Sequence, residues 1–311
     1  MKILFFGAGV ISAIYGSALK QQGHDVVHYV RPSRLDKLKQ GIELHLMDGR
    51  NKNKVTSSRY PISCVGELPN MDDFDLIVVS VRHYQLENVL AELAGKTGNA
   101  TLLFFNHIWS DFSLVTSYIP ADKFLWGFPS GGGGFRDADG TELDGVLMNR
   151  VHIAEINGEA TPRLQKVAEL FHGIGLRTIH PPNVLHWQWK HFSLNAGISN
   201  GILKAGGDEK FLSSVPRIRQ GILFIREALE VTRSRGVDIK QFADAKVFFM
   251  PSWVAACAFW MAMRINKAQA TIFKLHKGAE ENKIIYRDLM EVAKRNGVET
   301  PGLNAMKSMH G

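Results

Sequence analysis

Through its first 182 residues the chain alternates short, densely apolar runs with longer stretches in which apolar residues recur every three or four positions. KILFFG, DVVHYV, DLIVVSV, TLLFFN and KFLWGF are continuous and rich in branched or aromatic side chains, as strands covered on both faces are. VHIAEI repeats the pattern, and RTIHPP ends it. Between the runs lie helical segments: GSALKQQG closes a first helix on Gly23, Gln85 to Gly95 carries apolar positions at helical spacing, and TPRLQKVAELFHGIG starts with a threonine cap and a proline in the first turn. Strand, helix and strand in repetition predict a parallel sheet wrapped by helices, a Rossmann-type α/β domain. PSGGGGFRDADGT, Pro129 to Thr141, suits a turn or mobile loop, its four glycines serving either as a flexible connector or for close approach to a ligand.

From Asn183 onward the period becomes purely helical, and no strand pattern returns. The pair Pro181-Pro182 marks the boundary, because a residue before proline is pushed out of helical geometry. The expected organisation is therefore a sheet domain over 1–182 and an all-helical domain over 183–311.

Composition agrees with a globular protein: 45% of residues are hydrophobic and 22% charged. No stretch approaches the roughly 18 apolar residues of a spanning helix. Cys64 and Cys257 stand far apart, without disulfide or zinc-site spacing, which fits a reducing cytoplasm. The net charge of +7 is uneven, since residues 1–182 hold 18 Lys/Arg against 19 Asp/Glu and residues 183–311 hold 19 against 11. The cations are scattered among helical positions without a nucleic-acid motif, so a small anion is the expected partner and neither nucleic acid nor membrane is.

The segment GAGVIS follows the strand KILFF directly and leads into a helix, the context that gives a glycine-rich pattern its meaning. Gly7 permits the tight turn and Gly9 lets backbone approach a pyrophosphate. Val10, Ile11 and Ser12 bring the helix N-terminus to it, with Ser12 in the place usually taken by a third glycine. An acidic residue ending the second strand would hold the ribose of NAD. Here Arg31 stands at that tip, with Ser33 and Arg34 close by, a set suited to the 2′-phosphate of NADP.

In the helical half, WKHFSLN places His191 and Asn195 four apart on one helix face, with Lys190 about 100° away. A protonated imidazole there can donate to a carbonyl oxygen while the amide orients the same substrate.

GAGVISAIYGSAL with an arginine after the second strand, SVRHYQ, FFN and a W-x-H-x-x-x-N helix together resemble the ketopantoate reductase family, across essentially the whole chain. The resemblance implies a Rossmann domain followed by a helical domain, NADPH as reductant, and reduction of a 2-oxo acid to a 2-hydroxy acid; the cleft between domains is the expected site and a homodimer the expected assembly. By position it implies that Arg82 matches a lysine near the cofactor, Gln85 a nearby glutamine, and Asn106 the asparagine after the fifth strand. The family's lysine donor falls on His191, leaving His191 or Lys190 as proton donor. Glu281 falls on the substrate-binding glutamate, within KGAEENKIIYRDL, whereas the family's serine pair has no counterpart. An NADP-binding sensor without catalysis and an opine-type dehydrogenase are the alternatives.

Overall fold

The computed structural model describes residues 1–275 and 278–310 and divides into two compact units, Met1–Leu185 and His186–Gly311. In the first, β1 (Lys2–Phe6), α1 (Val10–Gln21), β2 (Asp25–Tyr29) and α2 (Pro32–Leu38) follow the expected alternation. A hairpin, β3 (Ile42–Asp48) with β4 (Lys54–Tyr60), and the short β5 (Cys64–Val65) come next. Then β6 (Leu76–Val79), α3 (Leu86–Leu93), β7 (Thr101–Phe105), α4 (Ser113–Thr116), β8 (Phe124–Phe135), β9 (Glu142–Ala154), α5 (Pro162–Gly173) and β10 (Arg177–Ile179) complete the domain.

The strands form one sheet in the order β4-β3-β9-β8-β7-β6-β1-β2-β5, with β10 also on β9. Its centre, β8-β7-β6-β1-β2-β5, is parallel, as the buried apolar runs require. Successive residues of β1 serve opposite faces. Ile3 and Phe5 pack with Ile14 and Leu19 of α1 and Phe171 of α5, while Leu4 and Phe6 pack with Leu90 and Leu93 of α3.

The sheet is mixed, not purely parallel, since β3–β4 and β8–β9 are antiparallel. The hairpin escapes a reading by apolar pattern because β4, KVTSSRY, is exposed along all but its last residue. The tetraglycine is also no mobile connector. It lies in β8, paired with β9 across a bulge between Pro129 and Gly131. Backbone crowding explains the glycines: a Cβ on Gly133 would come within 2.2 Å of the Asp144 carbonyl oxygen, and one on Gly131 within 2.6 Å of that of Val146.

The second unit is built on α6 (Val184–Ala205), α7 (Asp208–Leu212), α8 (Val215–Arg233), α9 (Ser252–Ile265), α10 (Lys267–Leu275), α11 (Ala279–Arg295) and α12 (Pro301–Asn304). Helices α6 and α8 cross at glycines. A Cβ on Gly197 would meet the Ile225 Cα at 2.5 Å, and one on Gly201 the Gly221 Cα at 2.8 Å. This close crossing, with Ser193 Oγ donating to the Ala228 carbonyl at 2.9 Å, fixes which side of α6 is covered.

Gly133→Ala should lower stability by about 2 kcal/mol or more, because the opposing atom is backbone and cannot yield as a flexible side chain can. The urea midpoint measures this, and an unchanged midpoint would contradict the crowding.

Candidate functional site

The register of the parallel strands sets four loops side by side. Phe6 is level with Tyr29 and with Val79, and Val79 with Phe104. Gly7, Arg31, Arg82 and Asn106 therefore leave the same carboxyl edge of the sheet, where doubly wound folds bind ligands.

Gly7 has φ of +103°, a conformation natural to glycine, and its N–H donates to the Tyr29 carbonyl at 2.8 Å. Its carbonyl accepts from His28 Nδ1 at 2.9 Å. A carbonyl can only accept, so the His28 proton sits on Nδ1, and Nε2 accepts from the Tyr60 hydroxyl at 2.8 Å. The imidazole is fully buried and stacked on Phe5, with ring centroids 5.2 Å apart. Burial lowers its pKa to about 4. Helix α1 meets this pair at Gly16, where a Cβ would lie 2.8 Å from both His28 Nε2 and Tyr60 Oη. The close helix-to-sheet approach commonly assigned to a third glycine in this motif is thus made at Gly16, and Ser12 is relieved of it.

Gly9 caps α1 without a side-chain hydrogen bond, and a Cβ on it would meet nothing within 4 Å. Ala13 is the first residue of the turn to bond back, to the Gly9 carbonyl, so Val10, Ile11 and Ser12 keep N–H groups with no partner in their own helix. Ser12 is 0% exposed, and its Oγ has no hydrogen-bond partner among the described residues. An open backbone, unspent donors and an orphaned hydroxyl fit a phosphate-bearing group.

At the tip of β2, Arg31 is exposed at the cap of α2, whose first turn holds no acidic residue. Arg34 lies half-buried against Gly140, and its Nη2 lacks a hydrogen-bond partner among the described residues. Arg82 and Gln85 are exposed and mutually tied, with the Arg82 N–H donating to Gln85 Oε1 at 3.4 Å and Arg82 Nη1 to Tyr84 Oη at 2.7 Å. Asn106 is buried, its Nδ2 donating to the His107 carbonyl at 3.2 Å, while its Oδ1 has no hydrogen-bond partner among the described residues.

In the second unit, α6 runs unbroken past His191 and Asn195, which are both half-buried. The His191 ring stacks on Trp187 with centroids 5.0 Å apart and planes 8° from parallel. Lys190 is directed elsewhere. It projects from the side of α6 shared with Gly197 and Gly201, is 0% exposed, and gives its Nζ to Asp244 Oδ2 at 2.5 Å. Its ammonium also lies 5.0 Å from the Trp187 ring and 5.3 Å from that of Phe242. Burial pushes the lysine pKa down, against the opposing pull of Asp244. No helical irregularity turns Lys190 toward His191, so the two candidate donors occupy different sides of α6.

Ser199 extends the His191–Asn195 stripe by one more turn, and its Oγ donates to Asn282 Oδ1 at 3.0 Å. Glu281, half-buried, precedes Asn282 in the first turn of α11, whereas Glu280 is exposed. Lys277, which opens the stretch KGAEENKIIYRDL, lies outside the described residues. His28, Tyr60, Asp244, Ser199 and Asn282 were not singled out by the sequence, since none belongs to a local motif, and Gly16, within GAGVISAIYG, was given no packing role. The bonds His28–Tyr60, Lys190–Asp244 and Ser199–Asn282 span 32, 54 and 83 residues.

Residues 3–140 match the family model described as ketopantoate reductase PanE/ApbA. The match lies within the sheet domain and makes the chain similar to that family there. A curated relative, the uncharacterized oxidoreductase YkpB of Bacillus subtilis strain 168, is 24% identical over 204 residues, 64% of this chain and 64% of the relative. The chain therefore matches just under two thirds of that relative's length. Among solved structures, D-mandelate dehydrogenase in complex with NADH and anilino(oxo)acetate superposes with a TM-score of 0.74 at 15% identity, over 100% of this chain and 97% of that one. The 2-dehydropantoate 2-reductase of Geobacter metallireducens gives 0.72 at 16% identity, over 100% and 99%. At such identities the likeness is one of fold. The chain shares with them an α/β sheet domain followed by helices.

The buried, neutral His28 makes stability depend on acid. Its native pKa lies below the ordinary 6.5, so its contribution is complete above about pH 6.5 and is lost as pH falls toward 4, amounting to on the order of 3 kcal/mol. In chemical denaturation from pH 7 to 4, His28→Phe should be less stable at pH 7 yet lose less stability on acidification. Parallel curves for the two proteins would contradict the assignment.

Proposed function

We propose that the protein is an NADPH-dependent reductase of a small anionic 2-oxo acid, yielding the 2-hydroxy acid. The observation that carries the reading is the pairing of two features: an open glycine turn with unspent donors at the carboxyl edge of the sheet, and His191 and Asn195 one turn apart on an accessible face of α6.

Bound coenzyme supplies hydride. The chain's own residues do the rest. N–H groups of Val10, Ile11 and Ser12, with the Ser12 hydroxyl, receive the pyrophosphate. Arg31 and Arg34 receive the 2′-phosphate, supported by the absence of a carboxylate in the first turn of α2 and by the unpartnered Arg34 Nη2. Asn106, Arg82 and Gln85 order the loops beside them. His191 hands a proton to the developing alkoxide oxygen, Asn195 orients the carbonyl, and Glu281 and the net-positive helical unit complete the substrate's surroundings. Lys190, buried in its ion pair, positions Trp187 under the His191 ring. The neighbours' names support an oxo-acid substrate without choosing its side chain.

The assembly we propose is a cytoplasmic homodimer formed through α9. Trp253, Val254, Met261 and Ile265 line the outer face of that helix, with Ile265 76% exposed, an apolar patch too continuous for solvent contact alone.

His191→Ala should reduce turnover about 100-fold or more with the preferred oxo acid, with little change in coenzyme binding. Unchanged turnover would remove the donor role from His191. Arg31→Ala should weaken NADPH about tenfold or more while sparing NADH, and equal loss for both would remove the phosphate role. Met261→Glu with Ile265→Glu should convert a sedimenting dimer to monomer, and a wild-type monomer would refute the α9 interface.

A further inference from the structure

Away from the face of α6 that carries His191 and Asn195, the helical unit contains a second concavity of about 550 Å³, between α11 and the chain that follows it through α12. Its size lies within the range of small-molecule sites. Its wall is cationic: among the described residues Lys283, Arg287, Lys294 and Lys307 line it against one side-chain carboxylate, Glu280. Arg287 is already engaged by Asp288, but Lys283, Lys294 and Lys307 have no ion-pair partner among the described residues. Between these heads the lining is apolar, with Ile284 and Met290 prominent.

The floor is ordered more firmly than a surface depression needs. Tyr286 and His310 stack with centroids 3.9 Å apart and planes 8° from parallel, and the Tyr286 hydroxyl donates to the Leu303 carbonyl at 3.0 Å. His310 Nε2 donates to Asn200 Oδ1 at 2.9 Å, an orientation fixed because Asn200 Nδ2 is spent on the Ala196 carbonyl. Burial and the nearby Lys283 lower the His310 pKa, so the floor adds no further cation at neutral pH. A flat aromatic base, an apolar wall and a cationic rim together select a ligand with a flat apolar body and a negative group at its edge.

We propose that this cavity binds an organic anion of roughly one fused-ring system, carrying a sulfonate, phosphate or carboxylate, at a site separate from those of the coenzyme and the oxo acid. The ring lies toward the Tyr286–His310 stack, and the anion is held by Lys283 and Lys294. The bond from His310 to Asn200 ties the floor of the cavity to α6.

The test uses the full-length protein and the fluorescent anion 1-anilinonaphthalene-8-sulfonate, with the uncharged N-phenyl-1-naphthylamine as control and phenyl phosphate as competitor. We expect one saturable site for the sulfonate, at least tenfold weaker binding of the uncharged probe, and displacement by phenyl phosphate but not by inorganic phosphate at the same concentration. Lys283→Glu combined with Lys294→Glu should weaken the sulfonate at least tenfold with the melting temperature unchanged. Met290→Trp, which fills the cavity without altering its charge, should do the same. No saturable binding, equal affinity for the uncharged probe, or wild-type affinity in both variants would overturn the proposal.

Discussion

A single imidazole holds the glycine turn to the sheet. His28 bonds the Gly7 carbonyl on one side and the Tyr60 hydroxyl on the other, and α1 can come down on that pair only because Gly16 offers no side chain. The turn, the helix that starts from it, the end of β2 and the exposed hairpin strand that supplies Tyr60 are thereby coupled through one buried polar group. Such a group is costly unless both its nitrogens are satisfied, and here both are. The same economy explains why Ser12 is tolerated: crowding has been moved one turn along the helix, leaving its hydroxyl free for a ligand.

Helix α6 shows how one helix separates two chemistries that are adjacent in sequence. Glycines on one side admit α8 to close approach, and Lys190 on that side sinks between Trp187, Phe242 and Asp244. A lysine with no exposure would be strongly unfavourable without its carboxylate, although Asp244 itself is 60% exposed and keeps one end of the pair in water. His191, one residue on, reaches the accessible side and rests on the same tryptophan. The indole thus carries a fixed cation nearby and a titratable ring on its face, an arrangement that links the electrostatics of the buried pair to the imidazole.

The parallel centre of the sheet and the helical second half were legible because continuous apolar runs and period-3.6 patterns are direct consequences of burial. So was the glycine turn, whose meaning came from the strand before it and the helix after it. The β3–β4 hairpin was not, since an edge strand facing water on both sides has no reason to alternate. The tetraglycine was misread because glycine signals either freedom or lack of room, and only the opposing carbonyls of Val146 and Asp144 show which. His28 and Tyr60 sit 32 residues apart and look, in sequence, like any strand histidine and any tyrosine. For Lys190 and His191 the helical period separated the two side chains correctly, but the partner that claims the lysine lies 54 residues away.

The run Gly131–Gly134 also bears on how the domain assembles. Four consecutive residues without side chains bury almost no apolar surface of their own and surrender the most chain entropy on ordering. Their pairing with β9 draws its stability from neighbours already in place, the aromatic half of β8 at Phe124 to Phe128 and the β3 strand on the far side of β9. The lower part of this hairpin accordingly depends on its neighbours for its order. Its opening and closing in the native protein can proceed as a local zipper, leaving the aromatic layer beneath it intact.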